Sequence, residues 1–131
     1  MASDPASKWY FRSSDPGLPR VLGPGVATRI FFGRNVMFSL VEIAPHTISA
    51  FHSHPEEQWG YLLEGECIRT QDGEEVAMQA GDFWYTPANV LHGVRTEAKG
   101  ARVLDVFSPP RELYTKPGAG LVESASPDSQ K

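Results

Sequence analysis

An all-β fold in a single domain is what this sequence predicts, on three observations. Gly, Pro and Asx residues punctuate the chain every several residues, the runs between them are short and rich in aromatic and β-branched residues, and almost no stretch has helical periodicity. With 131 residues and 40% hydrophobic content, the chain can enclose one core and one pocket. An active site therefore lies in that core or between copies.

The elements follow in order. Lys8 to Arg12 and Val26 to Phe32 read as strands, and Asn35 to Ile43 reads as a longer one ended by Ala44-Pro45. Gln58 to Leu63 and Glu66 to Thr70 come next, joined by a tight Glu64-Gly65 turn. Gln71-Asp72-Gly73-Glu74 then supplies a hairpin turn before Glu75 to Met78, since glycine tolerates positive φ. Phe83 to Thr86, Val90 to Val94 and Ala101 to Phe107 complete the series. Pro109-Pro110 ends the last strand, and Arg111 to Tyr114 reads as a short turn or helix. Beyond Pro117 the composition is that of a mobile tail.

Charge and cysteine content exclude several classes. The net charge is -4 with Lys and Arg scattered, which argues against a nucleic-acid or acidic-membrane surface and for a small-molecule partner. Cys67 is the single cysteine, so neither an intrachain disulfide nor a thiol catalyst is expected. Met1 to Lys8 has no hydrophobic signal core, and no apolar run approaches the roughly 20 residues of a membrane helix. A cytoplasmic protein is the expectation.

Many short strands mean a sandwich or a barrel, and pattern alone does not separate them. The histidines help. His52 and His54 are two apart, so on extended backbone both project to one face. Gln58 opens the next strand and His92 lies on another. Convergence of three imidazoles with one amide oxygen would hold a divalent ion and leave room for solvent or substrate.

The stretch His52-Ser53-His54-Pro55-Glu56-Glu57-Gln58-Trp59-Gly60-Tyr61-Leu62-Leu63-Glu64-Gly65-Glu66 resembles the first cupin motif, and Gly81-Asp82 through Pro87 to His92 resembles the second. Gln58 in place of the usual glutamate, with the run Val103 to Glu112, is similar to the KdgF-like group of pectin-degradation proteins. The likeness covers roughly residues 20–114. It implies a cupin jelly-roll β-barrel; the chain outside that span divides into an N-terminal arm over 1–19 that could add a pairing strand and a flexible tail over 115–131. It also implies a metal held by His52, His54, Gln58 and His92, and a homodimer. Three imidazoles and an amide accept Zn, Ni, Fe, Mn or Co.

The resemblance further implies opening of a 4,5-unsaturated uronate to its linear keto form. The neutral Gln58 leaves the ion's charge uncompensated, which suits Lewis-acid work. Val103, Asp105 and Phe107 share one face of the last strand. An inward Asp105 is a candidate general base or acid, Phe107 a pocket wall, and Arg111 a bidentate partner for a sugar-acid carboxylate. The plainer readings are a structural Asp105 paired with Arg69 or Arg102, a solvated Arg111, and an ordinary strand amide at Gln58. Glu56 or Glu57 could replace Gln58 as ligand if the strand bulges. His46 stands where cupins often have glycine and is read as an exposed or rim residue.

The fold hosts unrelated chemistries. An iron-dependent dioxygenase would use the same ligands, a polyketide cyclase would show a long apolar pocket, and a small-acid binding module would not need Asp105.

Overall fold

The computed structural model describes residues 9–122. The strands are β1 (Leu18–Gly23), β2 (Val26–Phe32), β3 (Met37–Ile43), β4 (Glu57–Gln71), β5 (Glu74–Gln79), β6 (Phe83–Thr86), β7 (His92–Arg95) and β8 (Ala101–Ser108), followed by a 3₁₀ turn at Glu112–Thr115. All pairs are antiparallel, in the order β1-β2-β3-β8-β4-β5, with β6 and β7 also joined to β4. The architecture is the jelly roll that the sequence predicts, although the hydrogen-bonded ladder does not close on itself.

Alternation along the strands builds the interior. Val26, Thr28 and Ile30 on β2, Met37, Ser39, Val41 and Ile43 on β3, and Ala101, Val103 and Phe107 on β8 are buried, each two positions from the next or separated by an inward neighbour. Thr28 and Ser39 satisfy one another inside this core at 2.6 Å.

Two expectations give way here. The run from Lys8 onward is not a strand over its described part, Trp9 to Arg12; Phe11 instead rests its ring on Phe31 at 5.2 Å. The first strand is Leu18–Gly23, which contains Pro19 and therefore reads poorly as a strand. As a sheet edge it needs no donor from that residue.

The other correction is larger. Glu64-Gly65 is not a turn between two strands but an irregularity within one strand of 15 residues, with a register shift between Leu62 and Glu64. Gly65 has φ of 83°, and a Cβ built there would lie 1.9 Å from the Gly100 carbonyl oxygen. Only glycine permits the bend at this approach. Before it β4 pairs with β6 and β8; beyond it β4 pairs with β5 and β7. The hairpin at Asp72-Gly73 forms as expected, with both residues at positive φ.

The segment from residue 115, expected as tail, is docked as far as Leu121. The buried Arg20 guanidinium donates to the carbonyls of Leu113, Lys116, Ala119 and Gly120 at 2.9–3.3 Å. Gly120 N–H in turn donates to the Val21 carbonyl at 2.8 Å. One buried cation thus gathers four carbonyls that would otherwise need water. The remainder of the expected tail, and residues 1–8 of the arm, lie outside the described residues. Among the described residues no helix is long and apolar enough to cross a membrane.

Gly65→Ala should lower unfolding stability by about 2–4 kcal/mol, combining left-handed strain with the carbonyl clash. Urea unfolding followed by circular dichroism measures this, and an unchanged midpoint would mean that the strand bends without glycine.

Candidate metal centre

Backbone pairing places the first two imidazoles. His52 N–H donates to the His92 carbonyl and His92 N–H to the His52 carbonyl, both at 3.0 Å, an isolated antiparallel bridge. Residues opposed in this way present side chains to one face, and the rings sit 4.4 Å apart. His54 follows two residues on, and its ring lies 5.7 Å from that of His52 and 5.0 Å from that of His92. Residues 52–54 are irregular rather than a regular strand, but the two-residue spacing still turns both side chains inward.

The tautomers follow from the neighbours. Nδ1 of His52, His54 and His92 lies 3.2, 3.0 and 2.8 Å from the carbonyls of Ala50, Glu56 and Val90 respectively. A carbonyl only accepts, so each Nδ1 carries the proton and each Nε2 is left with a lone pair. The candidate ligand atoms of the three residues lie within 4.8 Å of one another.

Burial keeps the rings neutral, holding His52 down at about 4 and His92 at about 3 and lowering His54 as well. Unprotonated imidazoles are the ligand-competent form.

A fourth candidate ligand atom is the Gln58 oxygen. Gln58 opens β4, is buried, and places Oε1 3.0 Å from His54 Nε2. Its side chain also stands beside Asp105, whose carboxylate form it favours. With Nδ1 of His54 protonated, Nε2 and Oε1 both present lone pairs 3.0 Å apart, the spacing of two neighbouring ligands on one ion. Adjacent ligands of a six-coordinate ion at about 2.1 Å are about 3.0 Å apart. His92 Nε2 is buried with no hydrogen-bond partner. These residues fit a divalent ion, with three nitrogens and one oxygen, all neutral.

Asp105 faces this cluster from β8. Its Oδ1 is sealed from solvent without a partner, and burial raises its pKa despite the opposing influence of Arg69, Gln58 and Arg111. Phe107 packs its ring 5.4 Å from that of His54 and closes the wall.

Arg111 is not a solvated loop cation. It is buried, donates through Nη2 to the Leu121 carbonyl at 2.7 Å, lies 4.3 Å from the Tyr114 ring centroid, and has Nε 3.8 Å from Glu56 Oε1. It is not among the residues lining the cavity beside the histidines. Glu56 sits on the Nδ1 side of His54, and Glu57 is exposed, so neither takes the place of Gln58. His46 is exposed at φ of 53°, a backbone angle that accounts for glycine being common there. Burial pushes the Cys67 thiol up to about 11, away from nucleophilic use.

Sequence reasoning weighed Arg69 only as a structural partner and did not place Tyr114 or Leu121 at the cavity, yet all three line it. For Arg69 the obstacle is parity. Gln58, Gly60 and Leu62 point inward before Gly65, whereas Cys67 and Arg69 do so after it.

The cupin-domain family pattern matches residues 39–107, a span that contains all three histidines, Gln58, Asp105 and Phe107. This chain belongs to the cupin family. Within it, the cupin is 29% identical over 92 residues to the pectin degradation protein KdgF of Dickeya dadantii, covering 69% of this chain and 84% of that relative. The structure of KdgF from Halomonas sp. superposes with a TM-score of 0.65 at 26% identity, over 69% of this chain and 84% of that one. Quercetin 2,3-dioxygenase of Bacillus subtilis is 31% identical over 62 residues, which is 47% of this cupin and only 18% of the dioxygenase.

His52→Ala and His92→Ala should each abolish stoichiometric metal binding, because one imidazole fewer removes much of the affinity of an all-neutral site. Metal analysis of the purified variants by plasma mass spectrometry checks this; wild-type occupancy in either would remove that residue from the ligand set.

Proposed function

We propose that this cupin is a metal-dependent, non-redox enzyme that opens and tautomerises a cyclic oxygenated acid, in the specific case a 4,5-unsaturated uronate converted to its linear keto form. The observation that carries the reading is the convergence of three neutral Nε2 atoms and the Gln58 oxygen beside a buried carboxyl at Asp105. The likeness to KdgF supports the same direction.

A divalent ion held by His52, His54, Gln58 and His92 would supply Lewis-acid polarisation of a substrate oxygen, undiminished by any charged ligand. The chain's own residues do the rest. Asp105 takes the proton of the anomeric hydroxyl as the C1 carbonyl forms and the bond from C1 to the ring oxygen breaks, leaving an enolate at C5, and the same carboxyl delivers that proton to C4 to give the C5 ketone, so that no proton is lost or gained. Burial suits it to this traffic, since raising the carboxyl's pKa makes it a stronger base toward the substrate proton than an exposed aspartate. Phe107 walls the site, and Arg111 holds the C-terminal segment and adds positive potential at Asp105.

The cavity next to the histidines measures about 40 Å³. That is room for an ion's open positions and one small polar group, with the remainder of a substrate in the mouth beside the part-exposed His52. A polyketide cyclase would need a long apolar pocket there.

A homodimer and a cytoplasmic setting belong to the same reading. Two neighbouring aromatic pairs on the outer sheet face support the dimer: Trp59 with Tyr85, and Tyr61 with Phe83, all at least 42% exposed. Sedimentation equilibrium should give twice the chain mass, and a single-chain mass would remove the dimer.

Asp105→Asn should keep metal and fold while slowing loss of the uronate ring-alkene absorbance at least about 100-fold, the scale of a lost general base. Chelation of the wild type should remove the acceleration over the spontaneous reaction. Wild-type rates in Asp105→Asn would take the carboxyl out of the mechanism, and loss of absorbance no faster than without protein would sink the uronate reaction.

A further inference from the structure

The cavity holds a cation that is no part of the candidate metal site and that no carboxylate contacts. Arg69 leaves the second half of β4 facing inward, is 7% exposed, and lines the cavity with His52, Gln58, His92 and Asp105. Its position is fixed by neutral groups. Nε donates to Gln71 Oε1 at 3.2 Å, Nη2 donates to Thr86 Oγ1 at 3.1 Å, and the Trp84 ring centroid lies 5.2 Å from Cζ. Thr86 is held in turn by its own hydrogen bond to Gln71. Three side chains thus hold the guanidinium plane, and none carries charge.

Among the described residues no carboxylate oxygen lies within 4.0 Å of Arg69, whereas Arg95, Arg102 and Arg111 each have one. Nη1 takes part in none of the hydrogen bonds that fix the side chain. Asp105 acts on Arg69 through space without an ion-pair contact. A buried guanidinium without a contacting counter-charge is costly, and that cost is relieved when an anion arrives. The local balance points the same way, since four neutral metal ligands leave a bound dication's charge in place beside Arg69 and against one carboxyl.

We propose that Arg69 is an anion-binding residue inside the barrel, taking one carboxylate group of a small acid on its free N–H edge next to the metal site. A planar guanidinium held on one edge offers parallel donors on the other, which matches a carboxylate and not a neutral amide. The small cavity admits the carboxylate head alone, so the site selects acids whose acid group projects from the body of the molecule. The inference rests on the reading of this cavity as a substrate site, and not on the uronate reaction itself.

Acetate is the probe and acetamide its neutral counterpart. Both are titrated by nuclear magnetic resonance into the full chain as purified and again after chelation, which separates binding to Arg69 from binding to an ion. Acetate should bind saturably in both states, with contacts from its methyl group to ring protons of Trp84 or Phe107, and acetamide at least about tenfold more weakly. Arg69→Met should lower acetate affinity at least about tenfold in the chelated protein, and Arg69→Lys should recover only part of it. Equal binding of acetate and acetamide to the chelated wild type, or no contact with Trp84 or Phe107, overturns the inference even if Arg69→Met fails to fold. Acetate binding without uronate turnover would leave Arg69 standing and remove the reaction. Uronate turnover with an unchanged KM in Arg69→Met would remove Arg69 and leave the reaction.

Discussion

The passage of β4 through both halves of the sheet is the constraint on which everything else depends. Its first half, paired with β6 and β8, carries Gln58 into the interior; its second half, paired with β5 and β7, carries Arg69 there. A strand of constant parity that crosses from one wall to the facing wall would turn its side chains out of the interior. The register shift before Gly65 and the positive φ at Gly65 restore them. The Gln58 side and the Arg69 side of the cavity are therefore two ends of one strand, and the glycine that links them is held against the Gly100 carbonyl.

Around this strand the chemistry is arranged by backbone carbonyls more than by charged side chains. Three carbonyls, from Ala50, Val90 and Glu56, set three Nδ1 protons and so aim three lone pairs at one point. Two of those residues stand two positions before the histidine they orient, so a single extended turn of chain supplies both ligand and orienting acceptor. Because the donor set is neutral, whatever charge the site handles comes from an ion, a ligand, Asp105 or the buried arginines. Asp105 is then poised between opposite influences, with burial raising its pKa and Arg69, Gln58 and Arg111 lowering it.

Buried arginines also hold the end of the chain. Arg20 and Arg111 between them donate to the carbonyls of Leu113, Lys116, Ala119, Gly120 and Leu121, and that segment brings Tyr114 and Leu121 to the cavity wall. The composition of residues 115–122, rich in glycine and small residues, is that of a loop, and no local pattern marks it as ordered. Its order comes from a side chain on β1 nearly a hundred residues away.

The amino-acid sequence by itself determined the fold class, most of the strands, and which histidines were candidates for one cluster. Period-two alternation and Gly/Pro punctuation are local properties, as is the two-residue spacing that turns His52 and His54 to one face, whereas His92 joins them through its backbone bridge to His52. Only the tertiary structure decided which way β4 runs past Gly65, that Leu18–Gly23 is an edge strand despite Pro19, that Arg111 is enclosed rather than solvated, and that Arg69 stands in the cavity. Each of these depends on a partner distant in sequence: the Gly100 carbonyl for the bend, β2 for the edge strand, Leu121 and Tyr114 for Arg111, Thr86 and Trp84 for Arg69. A period of two tells which residues share a face within an unbroken run. It does not tell where the run is broken, because the break is set by what the strand meets on the other side of the barrel.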